Sequence, residues 1–183
     1  VAPGEQATFS FLLSAPHLGM FRETTQLIAN GKKLSGSDYT PLIVSVKPAY
    51  EAEIVKLEYA SSALVGWKTQ ATLVIKNTST REWKKTTLSA FGVDGKSASP
   101  FRDKKWKSAN VIQTLKTVKP GETATLTFKL AIPAKQGLYR HTLSLTNGAQ
   151  KIYLTSGDGY VSGVDQEVRV DPVPVKKKAT AKK

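Results

Sequence analysis

One stretch of this sequence occurs twice. Residues 1–16 read VAPGEQATFSFLLSAP and residues 118–133 read VKPGETATLTFKLAIP, matching without a gap at Val, Pro, Gly, Glu, Ala, Thr, Phe, Leu and Pro. Further on, Gly19-Met20-Phe21-Arg22 meets Gly137-Leu138-Tyr139-Arg140, Leu27 meets Leu145, and Asn30-Gly31 meets Asn147-Gly148. Each copy then closes on a Val-x-Val segment, residues 44–46 and 168–170. The chain therefore holds two copies of one module, and any fold assigned to it must be one that can be built twice in series. The second copy is preceded by about 67 residues, 51–117, with no counterpart before Val1. On this reading the first copy is the C-terminal part of a domain whose beginning lies upstream, and Val1 marks a fragment boundary.

Within the copies the hydrophobic period decides the secondary structure. Ala124, Leu126, Phe128 and Leu130 alternate with Thr123, Thr125, Thr127 and Lys129; Ala7, Phe9, Phe11 and Leu13 do the same with one apolar intruder, Leu12. Tyr139, His141, Leu143 and Leu145 alternate with Arg140, Thr142, Ser144 and Thr146, and Ala71, Leu73 and Ile75 with Gln70, Thr72 and Lys76. Period two predicts half-buried strands. Turn residues separate them at Asn77-Thr78-Ser79-Thr80, Asp94-Gly95, Lys119-Pro120-Gly121, Pro133 to Gly137 and Asn147-Gly148; Asn-Gly favours a tight hairpin because both residues tolerate positive φ. Short strands, frequent turns and no helical periodicity predict an all-β chain, an antiparallel β-sandwich with Leu73, Ile75, Leu126, Phe128, Leu143 and Leu145 facing one another across two sheets.

Composition matters mostly for what it removes. With no cysteine among 183 residues there is no disulfide framework, thiolate zinc site, iron–sulfur cluster or thiol nucleophile. No apolar run approaches the roughly 18 residues that a membrane-spanning helix requires.

The segment Lys76-Asn77-Thr78-Ser79-Thr80-Arg81-Glu82-Trp83, followed by Val118-Lys119-Pro120-Gly121-Glu122, the apolar strand, Pro133, Gly137-x-Tyr139 and the closing Val-x-Val, resembles the four-tryptophan immunoglobulin-like domain. That domain is the central domain of a selective-autophagy receptor and occurs in tandem in bacterial secreted or surface proteins. Trp83 matches the tryptophan after the Asn-Thr-x-Thr turn, whereas Leu73 and Leu143 stand where eukaryotic members tend to carry others, and Trp67 and Trp106 lie elsewhere. The resemblance is thus to the bacterial branch, without autophagy-type partners. It implies an immunoglobulin-like sandwich in tandem repeat with the first copy incomplete: residues 1–48 as half a repeat, 49–171 as a complete one and 172–183 as a Pro/Lys-rich tail or linker. It further implies a non-catalytic accessory module at the cell surface or outside the cell, a spacer or a binding and presentation domain for cell-wall polymer or a protein partner, beside neighbouring domains of a longer chain.

Candidate chemistry is sparse. Gly92-Val93-Asp94-Gly95-Lys96-Ser97 has its glycines too close together to wrap a phosphate, with no helix following, and reads as a hairpin loop. His17 and His141 have no partners in a ligand spacing. Asp158, Asp165 and Asp171 flank a glycine-rich stretch but match no defined calcium loop. No serine sits in a nucleophile elbow, and neither enzyme activity nor a cofactor is expected.

The remaining candidate is basic. Residues 101–107, Phe101-Arg102-Asp103-Lys104-Lys105-Trp106-Lys107, interleave two aromatics with four cations, a pattern that can stack on bases or sugars and attract an anionic backbone. The opposing reading tucks Phe101 and Trp106 under the loop and leaves the charges solvated. Lys176, Lys177, Lys178, Lys182 and Lys183 supply five of the thirteen surplus positives and belong to an acid-free tail. Together these residues define the alternative function, polyanion binding to nucleic acid or an anionic wall polymer, with nucleic-acid binding weak and nonspecific.

Overall fold

The computed structural model describes residues 2, 4–15, 17–34, 41–156 and 159–174, and among them there are strands and turns but no helix. The chain divides into two compact units, Val1–Lys47 and Pro48–Lys183.

The first unit holds β1 (Gly19–Thr24), β2 (Ile28–Ala29), β3 (Lys32–Lys33) and β4 (Pro41–Val46). β1 pairs antiparallel with β4, Gly19 opposite Val46 and Thr24 opposite Pro41. β2 and β3 form a hairpin around Asn30 and Gly31, whose φ values of 49° and 73° meet the type I′ requirement that the sequence signals. The alternating segment 7–13 is not a strand: no strand forms over residues 5–15, and Phe9, Phe11 and Leu13 are exposed. Its pattern specifies which side chains would share a face, but a strand also needs a neighbour to receive its N–H and C=O groups.

The second unit is an immunoglobulin-like β-sandwich. One sheet contains β10 (Thr123–Ala131), β7 (Lys68–Asn77) and β5 (Glu51–Glu58), extended past β5 by β12 (Gln150–Ser156) and β13 (Gly159–Val161). The other runs β9 (Val111–Thr114), β8 (Thr86–Phe91), β11 (Gly137–Asn147), β14 (Val164–Asp171) and β6 (Ser62–Leu64). β12 joins them: Gln150 to Ile152 pair with β11, and Tyr153 and Leu154 then pair with β5. The ladders are antiparallel except two short ones, β12 with β5 and β14 with β6, which the sequence reading of a purely antiparallel sandwich did not include. The two sheets close on a single core in which Leu73, Ile75, Leu126, Phe128, Leu143 and Leu145 are all buried.

Trp83 is fully buried in that core, and Asn77 organises the turn before it. The Asn77 amide donates to the carbonyls of Arg81 at 2.9 Å and Val118 at 3.0 Å, while its Oδ1 accepts from the Ser79 N–H at 3.0 Å and the Ser79 hydroxyl at 2.6 Å. All four hydrogen-bonding positions of this buried amide are filled. The Trp83 indole N–H in turn donates to Ser79 Oγ at 3.3 Å, and Trp83 and Val118 bridge through their backbones.

The residues aligned between the two segments can be compared in their ladders. Gly19, Met20, Phe21 and Arg22 stand opposite Val46, Ser45, Val44 and Ile43; Gly137, Leu138, Tyr139 and Arg140 stand opposite Val170, Arg169, Val168 and Glu167. Aligned residues therefore occupy the same register, and Gly19 and Gly137 share a positive φ, 134° and 154°. The second Asn-Gly differs from the first: Asn147 ends β11 opposite Gln150, Gly148 alone takes positive φ at 61°, and the loop is Gly148-Ala149. Asn147 is occupied otherwise, its Oδ1 accepting from the Lys85 N–H at 2.9 Å.

Candidate binding loop of the second unit

The basic segment belongs to the connection between β8 and β9. That connection begins as a tight loop in which Asp94 Oδ1 accepts from the N–H groups of Lys96 and Ser97 and from the Ser97 hydroxyl, and Gly92 N donates to Ser97 O. Those backbone bonds, with the hydroxyl, hold the Asp94 carboxyl below its ordinary pKa. The loop spends its own amides on its own carboxylate, which is the hairpin expected for residues 92–97.

From Ser99 onward the chain dips into the core. Phe101 is fully buried, edge-on to the rings of His141 at 4.8 Å and Tyr139 at 6.2 Å. Trp106 is buried too, its indole N–H donating to Lys129 O at 2.9 Å. Of the two arrangements the sequence allowed, the burial of Phe101 and Trp106 matches the one in which both aromatics tuck under the loop. The cause is local. Asp103 accepts from the Lys105 N–H at 2.9 Å and turns the chain so that Trp106 follows Phe101 inward.

Asp103 is itself buried, with the Lys68 ammonium 2.9 Å away. Its carboxyl is held below its ordinary pKa, first by the Lys105 N–H and then by Lys68. Arg102, Lys104, Lys105 and Lys107 remain exposed on this anchored loop. Lys105 and Lys129 stand over a shallow hollow of about 230 Å³ that also meets Gln70, Trp106, Gln113 and Thr127. Lys129 escaped the sequence reading as a site residue, although the alternation of β10 already placed it on the outward face beside Thr127. Lys176, Lys177, Lys178, Lys182 and Lys183 lie outside the described residues.

The other candidates separate in space. Asp165 and Asp171 lie six residues apart on β14, about 20 Å at strand spacing; Asp165 accepts from the Thr142 hydroxyl at 2.6 Å and Asp171 pairs with Arg169 at 3.2 Å. Asp158 lies outside the described residues, among which no group of three or more His, Asp or Glu is placed to hold a metal ion. His17 contacts the Leu18 carbonyl and the Phe21 ring within the first unit. His141 is buried between Ser99 Oγ and Gln166 Oε1. With Ser99 buried as well, this serine–histidine contact lies inside the core rather than at a surface where a substrate could reach it.

No family model matches the sequence, and no curated protein matches it. Among solved structures the chain is similar to the CARDB domain of a Pyrococcus furiosus protein in solution, with 14% identity over 67% of this chain and 94% of that one and a TM-score of 0.44. It is similar to the same domain crystallised in complex with di-metal ions, with 16% identity over 68% and 89% and a TM-score of 0.43. It is also similar to native Escherichia coli alpha-2-macroglobulin, with 16% identity, 85% of this chain, 8% of that one and a TM-score of 0.45.

Proposed function

We propose that this chain is a non-catalytic immunoglobulin-like accessory module of a bacterial secreted or cell-surface protein, a spacer that presents its neighbours and binds cell-wall polymer or a protein partner. The observation that carries the reading is the common ladder register of the two copies, Gly19 opposite Val46 and Gly137 opposite Val170. Repetition of one backbone frame extends reach and permits multivalent contact without new chemistry at either copy. The test is co-sedimentation of the chain with isolated bacterial wall material. Retention that survives 0.5 M salt is expected; the same retention by any wall-free carbohydrate resin would remove wall polymer as the ligand.

A second reading rests on the anchored loop. Arg102, Lys104, Lys105 and Lys107 are all exposed on a segment fixed at Phe101, Asp103 and Trp106, so four cations are presented at little ordering cost to a polyanion. Retention on duplex DNA or an anionic wall polymer that disappears in 0.5 M salt favours this reading over the first.

A further inference from the structure

β10 is the outer strand of its sheet, paired on one side with β7 and covered on the other only in part. Along an antiparallel ladder successive residues turn their N–H and C=O groups alternately toward the partner and away from it. Glu122 O accepts from the Asn77 N–H at 2.9 Å, so the even-numbered residues face β7. The odd-numbered ones face outward, and at the far end the chain covers them itself: Lys129 O accepts from the Trp106 indole at 2.9 Å, and the Ala131 N–H donates to Phe101 O at 3.0 Å. Thr123, Thr125 and Thr127 have no such cover, and no described residue bonds to their outward N–H and C=O groups. A hollow of about 340 Å³ separates residues 122–126 from the edge of the other sheet at residues 113–118, and the hollow of about 230 Å³ under Lys105 and Lys129 meets it at Gln113. The rim is basic. Lys105, Lys116 and Lys129 line the two hollows and are exposed, and the Lys107 ammonium reaches the Thr114 hydroxyl on β9. Glu122 is the one acid among the described residues lining them, and its carboxylate accepts from the Lys119 N–H at 2.8 Å.

We infer that the outer edge of β10, residues 123–127, is a docking site for an acidic extended segment of a partner protein, which joins the sheet as a further strand. The main chain of that segment bonds to Thr123, Thr125 and Thr127 and supplies affinity; its carboxylates lie against Lys105, Lys116 and Lys129 and supply selectivity. Lysines on an edge strand keep like edges from pairing, and here the same charges choose the partner. A second copy would bring its own Lys105, Lys116 and Lys129 to the edge, and the C-terminal segment of this chain, with five lysines and no acid after Asp171, is repelled in the same way. Nucleic acid matches the charge but has no row of alternating N–H and C=O groups to meet three outward-facing peptide units. The inference goes beyond both readings above, since it needs the β10 backbone, which neither of them uses.

The experiment adds a synthetic end-blocked peptide of alternating glutamate and valine to the full chain and follows amide hydrogen exchange residue by residue. Exchange at Thr123, Thr125 and Thr127 is expected to slow at least about tenfold at saturation. The same peptide methylated on every peptide nitrogen keeps its charge but can donate no main-chain hydrogen bond, and should protect nothing; neither should a peptide of alternating lysine and valine. The chain variant K105E/K116E/K129E, altered only at exposed side chains, should keep the thermal transition of the second unit, lose protection by the glutamate peptide and gain it from the lysine peptide. Equal protection by the methylated peptide, protection of this edge by duplex DNA, or protection only elsewhere than 123–127 overturns the inference. So does protection of 123–127 in the absence of peptide that rises with protein concentration, which would assign the edge to a second copy.

Discussion

Ser99 Oγ lies 2.8 Å from Nδ1 of His141, two side chains 42 residues apart and both buried. On the other side of the ring Nε2 meets Gln166 Oε1, an acceptor, so Nε2 carries the proton and Nδ1 accepts from the Ser99 hydroxyl. The imidazole is neutral in this arrangement. Ser99 Oγ also accepts from the Phe101 N–H at 3.2 Å, which ties the start of the basic loop to β11 and β14.

Acid should therefore weaken the second unit before the carboxylates titrate. Burial, partly opposed by Gln166 and Asp165, pushes the His141 pKa below its ordinary value. A histidine depressed in the folded state binds its proton more readily when unfolded, so its contribution is complete above about pH 6.5 and is lost as the pH falls toward the folded-state value. Unfolding free energies from urea titrations should fall between pH 7.5 and pH 5.5 with a slope approaching about 1.4 kcal/mol per pH unit at most. The H141Q variant should flatten that slope; an unchanged slope would mean that another group sets it.

Removing the Asn77 amide should unfold the turn before Trp83. Its four bonds are made to Ser79, Arg81 and Val118, all beside a fully buried indole. N77A leaves the Val118 carbonyl and the Ser79 N–H without this partner, a loss of about 2–4 kcal/mol. Denaturant titration followed by tryptophan fluorescence measures it. A cost below about 0.5 kcal/mol would show that water replaces the amide.

Gly163 is needed for closeness and not for conformational freedom. A Cβ there would stand 2.8 Å from Leu143 O and 2.7 Å from Thr142 Cγ2, against the backbone of β11 just where β14 begins. G163A must separate those strands and should cost about 1–3 kcal/mol by differential scanning calorimetry. A transition temperature equal to the parent's would mean that the chain before β14 moves away freely.

The strands that sequence alone located are those whose alternation had a partner to act on. β7, β10 and β11 all follow their apolar period, and the aligned copies share a register. Residues 7–13 show the same period without forming a strand, since periodicity encodes a face and says nothing about whether a neighbour is present. β6 and β13 are three residues each, too short for a period, and the crossing of β12 between sheets depends on contacts with Glu51 and Ala52 about 100 residues away. The inward turn of Phe101 and Trp106 was one of two arrangements the sequence left open: irregular backbone has no period to decide between them, and the buried Asp103 that bends it reads in the sequence as one more surface charge.

The loop's cations and aromatics should respond to mutation in opposite ways. Arg102, Lys104, Lys105 and Lys107 are exposed, so replacing all four by alanine should leave stability within about 0.5 kcal/mol per site. If they contact a duplex, the same change lowers the dependence of log affinity on log salt by up to about 0.9 per lost phosphate contact. W106A instead opens the core and removes the indole bond to Lys129 O, at a cost of about 3–5 kcal/mol. Fluorescence-anisotropy titrations at several salt concentrations, run beside urea unfolding, separate the two. A W106A chain as stable as the parent but unable to bind would place Trp106 at the ligand after all, and a quadruple variant with an unchanged salt slope would remove the loop from the binding surface.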